Sequence, residues 1–255
     1  ELLATLADEQ QFSKQIEDPV NPEWTEFEAD VRSKGFWEVV IRPLHFEPTR
    51  VERYERLTQL IDESRVSGRH WSFPALGLNK EEKRGSNWVG QMIGSGTHRE
   101  AWRFFQSGQL IDICSIWTDR RHPSDVPAKR DVEQQHLLPI LDTIGRITEI
   151  FTFASRLATS EAGSESLHIE IKLSNIGDRS LYMENPARSV FRDYKLNSVQ
   201  HLVIEPKEFN RTELLTDPDR LAREASDWLF QRFGLILKDE ILLQLQNEVM
   251  NRGAR

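Results

Sequence analysis

Residues Glu165–Ser174 read ESLHIEIKLS, and the alternation in that stretch decides the fold class. Leu167, Ile169, Ile171 and Leu173 fall on one side of an extended chain, and His168, Glu170, Lys172 and Ser174 on the other. One apolar and one wet face is the pattern of an antiparallel sheet. A parallel strand covered by helices on both faces reads instead as a continuous apolar run. Working outward, Phe36–Leu44 alternates in the same way up to Pro43, which ends the strand or places it near an edge. Arg99–Phe105 and Gln109–Trp117 are aromatic and β-branched runs joined by Gln106-Ser107-Gly108, a hairpin signal that puts Ile111, Ile113 and Trp117 on one face. Shorter strands are predicted at Asn87–Ile93, Arg179–Met183 and Val199–Ile204.

Helical periodicity fills the remainder. Asn21-Pro22 supplies an N-cap and a first helical residue, and Trp24, Phe27 and Val31 then share a face. Thr49-Arg50-Val51-Glu52 matches a capping box ahead of Tyr54, Leu57, Leu60 and Ile61. Asp131–Ala158 carries apolar residues around much of its circumference, which predicts a buried helix, with Pro139 as a kink or its true start. Thr216-Asp217-Pro218 opens a helix stopped by Gly234, and Asp239 opens the last one. The expected fold class is therefore α+β: antiparallel sheet built from hairpins, packed on a long central helix, with an N-terminal helical arm. The arm spans 1–34 and a single α+β domain spans 35–255, with a charged, proline-containing stretch at 119–130 as the best internal boundary.

The chain has 255 residues, 38% of them hydrophobic, which is ample for a core and excludes a wholly disordered protein. One cysteine, Cys114, excludes a disulfide framework. No apolar run is long enough to span a membrane. With no signal peptide either, the expected location is cytoplasmic. A chain that opens on Glu1 rather than Met reads as a piece of a longer protein. The net charge of −8 is uneven: −6 over 1–34, +3 over 35–130 and −5 over 131–255. An acidic total argues against nonspecific coating of nucleic acid but leaves room for a basic patch in the middle.

Familiar catalytic motifs are absent: no phosphate-binding loop, no HExxH and no GxSxG. Gly94-Ser95-Gly96 reads as a flexible turn. The seven histidines are scattered, although a strand would put His98 and Glu100 on one face, as an acid/base or metal pair or as an ordinary surface pair. Cys114, among Ile113, Ser115 and Ile116, reads as a small buried hydrophobe. Glu170-Ile171-Lys172 looks like the E-x-K half of a PD-(D/E)xK nuclease motif, in which the acid helps hold Mg²⁺ or Mn²⁺ and the lysine orients water. No strand with a suitable Asp precedes it. For nucleic-acid binding the candidates are Arg99, Trp102 and Arg103 on the hairpin, with Arg65 and Arg69 before it. Interleaved bases and aromatics can track phosphates and stack bases; on antiparallel alternation they can equally be core and surface.

At Trp37–Pro43 (WEVVIRP), Arg69–Pro74 (RHWSFP), Glu100–Leu110 (EAWRFFQSGQL) and Trp228–Gly234 (WLFQRFG), across about 36–250, the chain resembles a bacterial domain of unknown function. Some members of that family carry it C-terminal to AlbA-type or Schlafen-like DNA-binding modules. The resemblance rests on packing aromatics and transfers no catalytic residue. It implies an accessory or sensing domain in a regulatory or defence-type protein. The expectation is thus a recognition domain without a cofactor, leaning away from catalysis. Its partner is a protein, the remainder of a larger chain, a ligand or nucleic acid. The alternatives are the metal-dependent nuclease on Glu170 and Lys172, and a homo-oligomer formed through the 1–34 arm.

Overall fold

The computed structural model describes residues 2–17, 20–77, 82–121, 136–184, 194–196 and 199–252. Most of the expected 119–130 boundary and the first residues of the expected 131–158 helix lie outside them. Seven strands form one sheet in the order β2-β3-β4-β5-β1-β7-β9, every neighbour antiparallel. They are β1 (Phe36–Pro43), β2 (Lys83–Arg84), β3 (Trp88–Ser95), β4 (His98–Phe105), β5 (Leu110–Ser115), β7 (Ser166–Ser174) and β9 (His201–Asn210). A separate parallel pair joins β6 (Leu137–Pro139) to β8 (Ser180–Tyr182). Among the described residues there are seven α-helices: α1 (Leu2–Ile16), α2 (Pro22–Arg32), α3 (Tyr54–Ser64), α4 (Ile140–Ala158), α5 (Arg211–Thr216), α6 (Pro218–Arg232) and α7 (Asp239–Arg252). The protein is thus mixed α and β around a large antiparallel sheet, as the alternation of 165–174 predicts.

That alternation gives the sheet two buried faces. Trp37, Val39 and Ile41 of β1, Trp102 and Phe104 of β4 and the apolar side of β7 belong to the larger core, which α4 and α6 also line. On the opposite face, Phe36, Trp88, Ala101, Phe105, Ile111 and Ile113 pack with Trp24 and Val31 of α2. The Asn21 side chain accepts from Trp24 N at 2.8 Å, the cap expected of Asn-Pro at a helix start. β1 lies between β5 and β7, so Pro43 ends the strand and does not mark an edge.

Three local expectations change. The helix after residue 49 begins at Tyr54, and its N-cap, Arg53, makes no side-chain cap bond. Val51 is fully buried, its N–H donates to the Gln106 carbonyl, and Gln106 Nε2 donates to the Val51 and Glu52 carbonyls. Tertiary bonds to the hairpin turn therefore claim the backbone that a capping box would use. Leu137–Pro139 is a strand, and α4 starts after the proline, where a missing N–H costs no helix bond. Finally, β5 stops at Ser115, and Trp117 sits in a 3₁₀ turn (Trp117–Arg120), apart from the strand face of Ile111 and Ile113.

α4 is nineteen residues long and packs against α3, α5, α6, α7 and β7. Its buried side chains include the charged pair Arg146 and Glu149. Two charges inside an otherwise apolar helix are costly unless they are paired, and their partners lead to the site.

Candidate ligand site

The β4–β5 hairpin turns at Gln106-Ser107-Gly108, where Gly108 takes a φ of +85° open to glycine. From that turn the register pairs Glu100 with Cys114 and Trp102 with Asp112. These four residues, with His98 two positions before Glu100, point to the side of the sheet that faces α4. Glu100 and Asp112 are completely buried. Arg146 comes down from α4 between them: its Nη1 lies 3.3 Å from Glu100 Oε2, and its Nη2 donates to Asp112 Oδ1. The other Glu100 oxygen, Oε1, accepts from Ala75 N at 2.6 Å.

A second buried pair stands one helical turn further on. Arg69, in the loop after α3, donates from Nε to Glu149 Oε2 at 2.8 Å and from Nη1 to Asp142 Oδ1 at 2.6 Å. Glu149 Oε1 also accepts from Gly68 N and Arg69 N, both at 3.0 Å, so one helix carboxylate fixes the loop. The loop can come this close because residue 145 is glycine. A Cβ there would stand 2.5 Å from Arg69 Cδ.

Between the loop, the sheet and the start of α4 lies a cavity of about 600 Å³, within the range of small-molecule sites. Trp37, Trp71 and Trp117 line it, with His98, Cys114 and Arg146 deeper in and Asp142 and Glu184 beside them. The Trp71 ring stacks on His98 with centroids 4.4 Å apart and planes 11° from parallel. The Arg121 guanidinium sits 4.0 Å from the centroid of Trp117, showing that this indole face accepts a cation.

Charged groups of both signs meet here. Arg69, Arg121 and Arg146 line the cavity with Asp142 and Glu184, and Glu100, Asp112 and Glu149 stand buried behind the guanidiniums of Arg146 and Arg69. Burial would raise Glu100, but Arg146 and His98 hold it well below the usual carboxylate range. Burial, and then the Glu100 charge, push Asp112 well above that range, so the proton of this close pair resides on Asp112. Glu184 accepts from Leu141 N and Asp142 N at the start of α4. Burial still pushes it up to about 7, with Asp142 adding to the rise. Burial also raises the Cys114 thiol. His98, Glu100 and Cys114 each offer one atom that could bind a metal, all within 4.8 Å of one another.

The sequence candidates for nucleic acid are not brought together. Trp102 is buried and donates from Nε1 to the Ala75 carbonyl at 2.7 Å, with no ring face left open to a base. Strand alternation sends Arg99 and Arg103 to the opposite face. There Arg103 donates to the Ile16 carbonyl at 3.2 Å and lies over Trp88 and Phe105. Arg99, the more exposed, lies over Phe27 and 3.8 Å from Asp30. Arg69 lines the cavity as described, and Arg65 caps the C-terminus of α3, its carbonyl accepting from Arg156. Glu170 and Lys172 lie on the wet side of β7, opposite Val40 and Glu38 of β1 and away from the cavity. Among the described residues, Glu170 belongs to no group of three prospective metal ligands.

Residue reading singled out His98 with Glu100 but not the groups around them. A usable signal was present: Asp142, Arg146 and Glu149 recur at i, i+4 and i+7, a polar stripe on one face of an apolar helix. No family model, curated protein or solved structure matches the chain.

Proposed function

We propose that this chain is a non-enzymatic recognition module that binds a small organic cation, of the ammonium or guanidinium type, in the cavity between the hairpin and α4. The observation that carries the reading is the combination in one cavity of three tryptophans, one of them already covered by a guanidinium, with the carboxyl groups of Asp142 and Glu184. Indole faces attract cations through the ring quadrupole, more strongly once desolvated, and Asp142 and Glu184 supply carboxyl groups to meet the charge. In this reading α4 is the central helix on which the hairpin sheet is laid, and its charged stripe sets the polarity of the site. The module serves a larger regulatory or defence-type protein as its sensing part.

The test is a thermal-shift panel. Tetramethylammonium, choline and agmatine are compared with benzoate, adenosine monophosphate and single-stranded DNA. A cation at 100 times its dissociation constant adds about 2.7 kcal/mol to the stability of the folded state, so one or more cations should raise Tm. Trp71→Ala should weaken that response about tenfold, near 1.4 kcal/mol. A shift with the anions alone, or no shift with any cation at millimolar concentration, overturns the proposal.

A further inference from the structure

We infer that His98 Nε2, Glu100 Oε2 and Cys114 Sγ form a binding site for a transition-metal dication of the Zn²⁺ type at the floor of the cavity. This goes beyond the organic-cation reading and does not depend on it. The three residues come from adjacent strands in fixed register, and one donor atom of each lies within 4.8 Å of the others. A tetrahedral zinc with bonds of about 2.0–2.3 Å sets its ligand atoms about 3.3–3.8 Å apart, so the widest separation closes by about 1 Å on binding. An imidazole, a carboxylate and a thiol make up a nitrogen, oxygen and sulfur set that suits zinc and not magnesium.

A second observation points to a guest. His98 is buried, yet its Nε2 has no hydrogen-bond partner. Glu100 Oε2 is 3.2 Å away, an ion-pair distance without hydrogen-bond alignment. A buried ring nitrogen left unsatisfied beside a carboxylate and a thiol is the geometry of a ligand set. Trp71 stacked on the imidazole fixes the ring plane, and Ala75 N on Glu100 Oε1 fixes the carboxylate, the outer support that metal ligands need. The cavity above leaves room for a fourth ligand, water or guest.

Among the described residues Arg146 competes, because its Nη1 shares Glu100 Oε2. It has another place to go. Asp112 Oδ2 is buried without a partner, and so is Arg146 Nε. A small rotation makes Arg146 bidentate to Asp112 and releases Glu100 to the metal. The charges then close: Zn²⁺ against the Glu100 carboxylate and the Cys114 thiolate, Arg146 against Asp112. Cys114 gives up its thiol proton as sulfur binds and Asp112 gives up the proton it holds beside Glu100, both to solvent, so uptake releases two protons.

The experiment is titration of the metal-stripped full chain with Zn²⁺ alone, followed by Co²⁺ as a spectroscopic probe. The expected result is one Zn²⁺ per chain and, with Co²⁺, a thiolate charge-transfer band with tetrahedral ligand-field intensity. Cys114→Ser should abolish that band, and His98→Gln should weaken Zn²⁺ binding by more than the roughly 10–100-fold that loss of a supporting partner costs. Glu170→Gln, on the other side of the sheet, should change nothing. Melting curves show which variants fold; where His98→Gln does not, Cys114→Ser decides. Failure to bind Zn²⁺, binding of Co²⁺ without the thiolate band, or affinity unmoved by Cys114→Ser overturns the inference.

Discussion

Replacing Arg146 with leucine would leave Glu100 and Asp112 facing each other in the interior with no cation between them. Breaking a buried pair by removing one partner costs about 3–5 kcal/mol. Urea unfolding of Arg146→Leu should show a loss of that order, and a loss below about 1 kcal/mol would mean that the cluster is not held as described. Glu184 makes a pH-dependent prediction. Its ordinary value is 4.5, and in the folded protein it stands near 7. The folded chain therefore holds a proton that the unfolded chain has lost across that interval. The resulting stabilisation is complete below about pH 4.5 and disappears as pH rises through 7. His168 acts in the opposite sense, since burial lowers it from 6.5 to about 4. Stability from that group is lost as pH falls through the same range. The readout is therefore the difference between wild type and Glu184→Gln. Wild type should lose stability relative to the variant between pH 5 and 8, and parallel curves would contradict the assignment. At this scale the His98–Glu100 pairing is legible from strand alternation. Cys114 is not, because it sits between Ile113 and Ser115 in a mostly apolar strand and its ionisable neighbours arrive from other segments. A count from the turn would have found one of them: Glu100 and Cys114 stand seven residues either side of Ser107.

Among the elements, the loop after α3 and the helix α4 meet where residue 145 has no side chain. Gly145→Ala would press a methyl against Arg69 Cγ and Cδ and sit 3.1 Å from Val249 of α7. Arg69 is anchored at both ends of its guanidinium by Glu149 and Asp142, so it has little freedom to yield. Overpacking of this kind costs about 1–3 kcal/mol. Differential scanning calorimetry of Gly145→Ala should show a lowered Tm, and an unchanged Tm would show that the loop can move aside freely. The strands and hairpins were legible because alternation and turn residues act locally. The start of the helix after residue 49 was not, because Val51 and Gln106 bond across 55 residues of sequence. Arg69 belongs to the same class: a basic residue in a loop reads as surface until the helix that neutralises it is in place.

For the molecule as a whole, the sheet separates two environments. One face carries the N-terminal helices over Trp88, Phe105 and Ile113, and here the basic candidates Arg99 and Arg103 lie among aromatic rings. The other carries α4 and the tryptophan-lined cavity. Among the described residues no helix is long and apolar enough to cross a membrane. The fold class could be read from alternation, whereas the site could not, because it is assembled from segments remote in sequence: β1 at Trp37, the loop at 68–75, the hairpin, the turn from Trp117 to Arg121, α4, Glu184 and α7 at Val249. The claim that joins these observations is that the cavity takes an organic cation against its tryptophans. Isothermal titration calorimetry of choline or agmatine into wild type and Trp71→Ala tests it most directly. One site per wild-type chain is expected, with about tenfold weaker binding to a folded Trp71→Ala variant. Equal affinity of the two proteins for the cation, or no heat with wild type, would contradict it.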